Sequence, residues 1–376
     1  MILAPTSEAC ASSCVVEPVS NHGEGSAKHR LGYTANSFRR EFLMALIRDW
    51  TKRAILASGA LRFAGGFQGP SAAILMYHSV LFDPTRESDS LGGIVHSEPV
   101  FRAQIEMLAR DYHPISLDRA VKHLSDGEDL PKRSVVVTFD DGYADNHEVA
   151  MPILNQFAVP AAFYVTVDCV ENKRLPWPSR LRFAFRSTKA VSWTDPQAKS
   201  WTLSAPDNRE EAFLAASDAC CQLSCAAQEE FIRRVEQELQ TCLPDQPGSP
   251  MMSYDQLRDL TRHGHIVGSH TMTHPNMAYL KEDDAQRELA DSKQRLEAQL
   301  GAPIKHFSYP CPALSPHWSE RTVEQSRALG YESGVTTNSG LTRRGDNPLC
   351  LKRLHPTKTV EGLRWNLESA FAGRTV

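Results

Sequence analysis

Nearly continuous apolar runs at residues 73–79, 135–139 and 161–167 show the pattern of strands buried on both faces. Shorter runs at 265–269, 304–309, 331–336 and 349–354 predict further strands. Between them, apolar residues recur at helical spacing. Ser97 precedes a helix with Phe101, Ile105 and Leu108 on one face, Ser116 opens another that ends near Gly127, and residues 146–157 read as helix despite Pro152. Ser253 and Gln256 form a capping box ahead of Leu257 and Leu260, with Gly264 as the stop. Residues 283–300 present Ala285, Leu289, Leu296 and Leu300 on one side, and residues 319–329 form a helix stopped by Gly330. Strands alternating with helices predict an α/β fold built on a parallel sheet or barrel.

Two segments break the alternation. Residues 171–250 read as an insertion, with a hairpin from 191–194 and 201–203, a capping box at Asp207 and Glu210 opening a helix, and a second helix over 226–239. At a barrel mouth such an insertion either shapes a substrate groove or serves as a structural flap. Residues 1–34 lack periodicity and predict a disordered tail. From 36 to 63, Leu43, Leu46, Ile47, Trp50 and Ala54 recur at helical spacing, with Arg39, Arg40, Arg48, Lys52 and Arg53 at other positions. This basic amphipathic helix either packs on the main domain or makes peripheral contact with an anionic membrane surface. The expected division is therefore residues 1–70 as tail plus helix and 71–376 as the main domain.

Composition narrows the classes. The 376 residues are 41% hydrophobic and 23% charged, as in a soluble globular protein. A net charge of -4 with a pI near 6.4 gives no reason to expect nucleic acid as a partner. Nine cysteines without regular spacing do not form a disulfide framework and read as reduced thiols. The start, Met1-Ile2-Leu3-Ala4-Pro5, lacks the basic-then-apolar pattern of a secretory signal, and no run is apolar enough to span a bilayer. The expected location is cytoplasmic, or peripheral at the inner membrane face. Nothing in the chain indicates an oligomeric state.

The candidate chemistry lies at strand ends. The 135–139 run stops at Asp140-Asp141-Gly142, which reads either as a turn or as paired acids at the mouth of the fold. His270 and His274 follow the 265–269 strand, four residues apart, so that one turn or a tight loop aims both imidazoles at one point. With one carboxylate they make a two-histidine, one-carboxylate site with open positions for water and substrate. His263 and His265 flank the helix stop and read as structural.

Thr138-Phe139-Asp140-Asp141-Gly142 together with His270-Thr271-Met272-Thr273-His274 resembles the polysaccharide deacetylase family, carbohydrate esterase family four. Met76-Tyr77-His78-Ser79 and Phe307-Ser308-Tyr309-Pro310 fall where that family has its other strand-end segments. The resemblance implies a distorted (β/α) barrel of about seven parallel strands, carrying here an N-terminal helical extension and an inserted hairpin-plus-helices segment. It implies metal-dependent hydrolysis of N-acetyl groups on an amino sugar, with a glycan as partner. Asp141, His270 and His274 would be the metal ligands and Asp140 the general base. The Cys311 N–H would be the oxyanion donor, His355 the catalytic acid, and His78, Tyr143 and Tyr309 substrate-binding positions. Zinc suits two imidazoles and a carboxylate, and Co2+, Ni2+ or Mn2+ could occupy the same ligands. Where the family commonly carries an arginine before the proline and Tyr-Gly after it, this chain has Ser308, Cys311 and Pro312. Arg353 is therefore expected to reach Asp140 in place of that arginine. Two other readings stand beside this one: a non-catalytic carbohydrate-binding protein on the same fold, and an amide hydrolase for a non-sugar substrate.

Overall fold

A computed structural model describes residues 50–82, 94–242, 250–310 and 315–375. The chain divides into two units, Met1–Ala54 and Ile55–Val376. Only residues 50–54 of the first are described, as helix. The expected tail and most of the basic helix lie outside the described residues. Within the second unit, residues 55–58 are helical, but Gly59 adopts φ +71° and breaks the run before a short helix, Ala60–Gly65. The continuous helix expected up to residue 63 is thus interrupted, because glycine takes the left-handed conformation without a Cβ clash.

Seven strands form the scaffold: β1 (Ser71–Tyr77), β2 (Ser134–Phe139), β3 (Ala161–Val165), β4 (Ile266–Ser269), β5 (His306–Ser308), β6 (Ser333–Ser339) and β7 (Leu351–Arg353). They pair in that order, all parallel. Just beyond β7, Leu354 closes the ring onto β1: its N–H donates to Ile74 O at 2.7 Å, and Met76 N–H donates to its carbonyl at 3.1 Å. The result is an almost closed barrel of parallel strands with helices outside.

Side-chain alternation along the strands creates two apolar layers. Val135, Val137 and Phe139 point outward to the helices, whereas Val136 joins Ile74, Ala162, Tyr164, Val335 and Leu351 inside the barrel. This parity also fixes where the chemistry goes. Thr138, Asp140, Ser308 and Arg353 fall on inward positions.

The outer helices begin and end near the expected residues. Ser116 Oγ accepts from Arg119 N–H, and Ser253 and Gln256 form a reciprocal capping box. Residues 146–157 split into a π-turn, Asn146–Ala150, and an α-helix, Met151–Gln156, with Pro152 in the first turn of the second piece. The expected cap at Asp207 is not formed. Proline is suited to the first helical position, so the Pro206–Cys220 helix begins at Pro206 with Ala205 as its N-cap, and Glu210 pairs with Arg182 instead.

The inserted segment follows β3. Helix Trp177–Ser187, the hairpin Ser192–Thr194 with Ser200–Thr202, and helices Pro206–Cys220 and Cys225–Glu238 enclose their own core, which includes Leu181, Phe185, Trp193, Phe213 and Phe231. An ion-pair chain, Asp168–Arg174–Glu229–Arg180–Glu236, joins this second core to the end of β3.

Gly268 in β4 packs so tightly that a Cβ there would stand 2.6 Å from Tyr164 Cδ1 and 2.8 Å from His306 O. Gly268→Ala is expected to destabilise the barrel by about 1–3 kcal/mol. Urea unfolding reads this, and an unchanged midpoint would show that the wall has slack.

Candidate metal and acid-base site

The end of β2 delivers two carboxylates to different partners. Asp140 is the last inward residue, with its N–H donating to Tyr77 O at 3.0 Å. Asp141 and Gly142 then take φ +75° and +90°. A left-handed non-glycine residue costs on the order of 1 kcal/mol or more, least for Asp and Asn. That local cost swings the second carboxylate away from the first.

Asp140 meets Arg353 in a two-pronged ion pair. Nη1 donates to Oδ1 at 2.8 Å and Nη2 to Oδ2 at 2.7 Å, with Arg353 fully buried. The rest of the guanidinium is also engaged: Nε donates to Thr336 O at 2.9 Å, Nη1 to Thr138 Oγ1 at 3.4 Å and Nη2 to Ser308 Oγ at 3.2 Å. Ser308 Oγ in turn donates to Asp140 Oδ2 at 3.3 Å. Burial by itself raises the pKa of Asp140, but the charge of Arg353 and its hydrogen bonds outweigh it. The carboxyl is held well below the usual range and stays ionised.

Asp141 faces the two histidines. His270 Nε2 and His274 Nε2 lie 3.5 and 3.4 Å from Asp141 Oδ1. The three candidate ligand atoms all lie within 4.8 Å of one another, the one such cluster among the described residues. His270 Nδ1 is hydrogen-bonded to Ser308 O at 2.8 Å, so it must carry the proton and leave Nε2 with a free lone pair. Burial lowers the pKa of both histidines, keeping them neutral, and Asp141 Oδ1 is a buried acceptor without a hydrogen-bond partner. Burial, reinforced by the Asp140 charge, raises the Asp141 pKa to about 8. Two neutral imidazoles and an orphaned carboxylate oxygen aimed at one point fit a divalent cation.

The loop after β4 is bent to make this possible: Thr271 and His274 adopt φ +67° and +60°. Buried Glu288, on helix Glu282–Leu300, accepts from Met272 N–H at 2.8 Å, from Thr273 N–H at 2.9 Å and from the Thr273 hydroxyl. Sequence reading did not single out Glu288. The available signal was a carboxylate falling on the apolar stripe of Ala285, Leu289 and Leu296.

The other expected site residues divide. His78 is half-buried just past β1, with its pKa pushed down to about 3 by burial against the pull of the Asp140 charge. His355 stands exposed past β7, its pKa lowered by partial desolvation and the Arg353 charge and raised by Asp140. Tyr143 is buried; its hydroxyl lies 2.9 Å from Ser179 Oγ and faces the Asp141 carboxylate, so it supports the site from behind instead of lining it. Tyr309 is also buried, against Phe307 and Trp318. With Ser308 pointing inward, strand parity turns the Tyr309 ring out toward the helices, away from the barrel interior. Cys311 lies outside the described residues. His265 is structural: its Nδ1 accepts from Ala161 N–H at 3.2 Å and its Nε2 meets Asn155 Oδ1 at 3.1 Å.

Comparison with known proteins gives one family. The model described as polysaccharide deacetylase matches residues 127–334, more than half of the chain. YxkH of Bacillus subtilis strain 168, provisionally named a polysaccharide deacetylase, is 20% identical over 290 residues, covering 77% of this chain and 72% of its own. The Streptococcus pyogenes deacetylase PplD in complex with acetate superposes with a TM-score of 0.55 at 19% identity, over 80% of this chain and 99% of that one. IcaB from Ammonifex degensii gives 0.52 at 19% identity, over 81% and 99%. At these identities the structural likeness concerns the fold.

Metal binding requires an ionised Asp141, whereas the metal-free protein holds a proton there below about pH 8. Near pH 7 each ion bound should therefore release about one proton, and affinity should fall as pH drops. Calorimetric titration with Zn2+ in two buffers of different ionisation enthalpy counts the protons. A count of zero would remove Asp141 from the ligand set or show it already ionised.

Proposed function

The chain belongs to the polysaccharide deacetylase family, and from that premise we propose that it hydrolyses the N-acetyl group of an amino sugar within an oligosaccharide or surface-polysaccharide precursor, using a divalent metal. The observation that carries this reading is the opposite proton preference of two adjacent acids. Asp140 is held ionised by Arg353, while Asp141 converges with two neutral imidazoles.

Asp141, His270 and His274 would hold the ion, which would polarise the acetamide carbonyl and lower the pKa of water. Asp140 accepts the proton of the attacking water. Its low pKa limits its strength as a base, but Arg353 and Ser308 fix the carboxylate in place, and that positioning is what the buried fork contributes. His355 hands a proton to the departing amine nitrogen from the rim, where the leaving sugar has access. A backbone N–H at Cys311 would complete the stabilisation of the oxyanion. Zinc suits this ligand set, with Co2+, Ni2+ and Mn2+ as alternatives.

The non-catalytic reading drew its support from the altered third motif, Ser308, Cys311 and Pro312. Arg353 engages both oxygens of Asp140, which answers the Ser308 departure. Hydrolysis of a non-sugar amide remains the competing outcome of a substrate panel.

Acetate release from N-acetylglucosamine oligomers by the metal-reconstituted protein tests the proposal, and no release from any glycan on a panel would overturn it. Asp140→Asn should retain metal and lose about 10²–10⁴-fold in kcat. Asp141→Asn should instead lose metal by elemental analysis; the reverse pattern would exchange the two roles.

Arg353→Lys keeps a cation but not the fork. It should raise the pKa of Asp140, moving the acid limb of the pH–rate profile to higher pH, since the ionised base then appears later. Full activity with an unshifted limb would show that Arg353 does not position the base.

A further inference from the structure

Of the three ligand-bearing residues, His274 touches the inserted segment directly, Asp141 is reached by it through Tyr143, and His270 is not touched. His270 is set by the barrel alone: its N–H donates to Val165 O at 2.9 Å and its Nδ1 is paired with Ser308 O. The first part of the following loop is also held by the barrel, through Glu288 on Met272 and Thr273 and through Ser269 Oγ, which accepts from Thr271 N–H at 3.2 Å. At Thr273 and His274 the insertion joins in, while the His274 N–H still donates to Thr271 Oγ1 at 3.0 Å within the loop. The carbonyl of His274, a residue already in the left-handed region, accepts from Trp177 Nε1 at 2.8 Å. Oriented by its neighbours, the Gln228 amide donates to Thr273 O at 3.0 Å and accepts from Trp177 Nε1 at 3.2 Å. On the other side of the cluster, Ser179 Oγ meets the Tyr143 hydroxyl, which faces Asp141. Trp177, Ser179 and Gln228 are all buried, and all belong to the insertion.

We propose that the insertion is a clamp on the metal site: Trp177 is a positioning residue that sets the backbone of His274, seconded by Gln228, while Ser179 orients Tyr143 against Asp141. The inference rests on the metal reading above and adds to it. The backbone of one ligand is held by a second, separately cored body, so metal retention depends on how that body docks. Groups behind ligands characteristically change metal affinity by about 10- to 100-fold when removed, because they fix orientation and not merely presence. A flap that only shaped a groove would leave metal affinity untouched.

Two tryptophans in the same core separate these possibilities. Trp177 donates to the ligand loop, whereas Trp193, equally buried, donates to Glu238 at 2.9 Å within the insertion. Trp177→Phe and Trp193→Phe each delete one indole N–H from one core. Zn2+ affinity of the full chain is read by competition with a fluorescent chelator, and the geometry at the site by the visible spectrum of the Co2+-loaded protein. Trp177→Phe should bind Zn2+ about 10-fold or more weakly with an altered Co2+ spectrum. Trp193→Phe should match the wild type in both. Gln228→Leu, which severs the link to Thr273 and leaves the Trp177 bond to His274 O in place, should weaken binding in the same direction and covers the case in which Trp177→Phe fails to fold. Equal losses in Trp177→Phe and Trp193→Phe would mean general destabilisation and overturn the clamp. So would wild-type affinity in Trp177→Phe or, should that variant not fold, in Gln228→Leu. A wild type that binds no divalent ion would overturn the metal reading and the clamp with it.

Discussion

A fully buried arginine inside a barrel of parallel strands is the constraint on which the rest of this structure depends. Taking a guanidinium and a carboxylate out of water costs several kcal/mol per ion, and their attraction offsets this only when the remaining donors are satisfied. Arg353 meets that condition with acceptors from three strands: Asp140 at the end of β2, Thr138 within it, Ser308 on β5, and Thr336 on β6, all reached from β7. The same contacts therefore tie the barrel together across its interior and hold one carboxylate ionised at its mouth. Stability and site geometry share these atoms. Replacing either partner would leave a buried charge uncompensated, at about 3–5 kcal/mol.

The second carboxylate needs the opposite environment, and the backbone supplies it within one residue. An extended strand would have placed Asp141 outward, against the helices. The left-handed turn at Asp141 and Gly142 directs it back toward the loop after β4, where burial without a cationic partner raises its pKa to about 8. The β4 loop is bent in the same way at Thr271 and His274. Both conformations are locally unfavourable, and both are held by hydrogen bonds from elsewhere in the fold, the usual circumstance in which such strain persists at a working site.

Those supporting bonds come from two bodies. Glu288 is a barrel residue, and Trp177 belongs to the insertion. Neither contributes a ligand atom. Between them they brace the peptide from Met272 to His274, and the ion-pair chain from Asp168 to Glu236 keeps the two bodies in register. The inserted segment packs around its own aromatic residues, as a brace requires and a loose cover does not.

Local patterns were sufficient to determine the order of strands and helices, most caps, the family and the Asp-Asp and His-x-x-x-His pairs, because each is written in contiguous residues whose period or spacing carries the meaning. The expectation that Arg353 replaces a missing arginine could also be formed from the chain, since Ser308 left a base without a partner. Parity and long-range contact were not legible there. That Tyr309 turns outward follows from Ser308 turning inward, which requires knowing the barrel. Tyr143 is covered because Ser179, thirty-six residues away, meets its hydroxyl. Glu288 and Trp177 touch the ligand loop only once a helix and an insertion have docked beside it. Single-sequence pattern records which residues are apolar or charged, but not which distant element will cover them, and at this site that covering decides which acid keeps its proton.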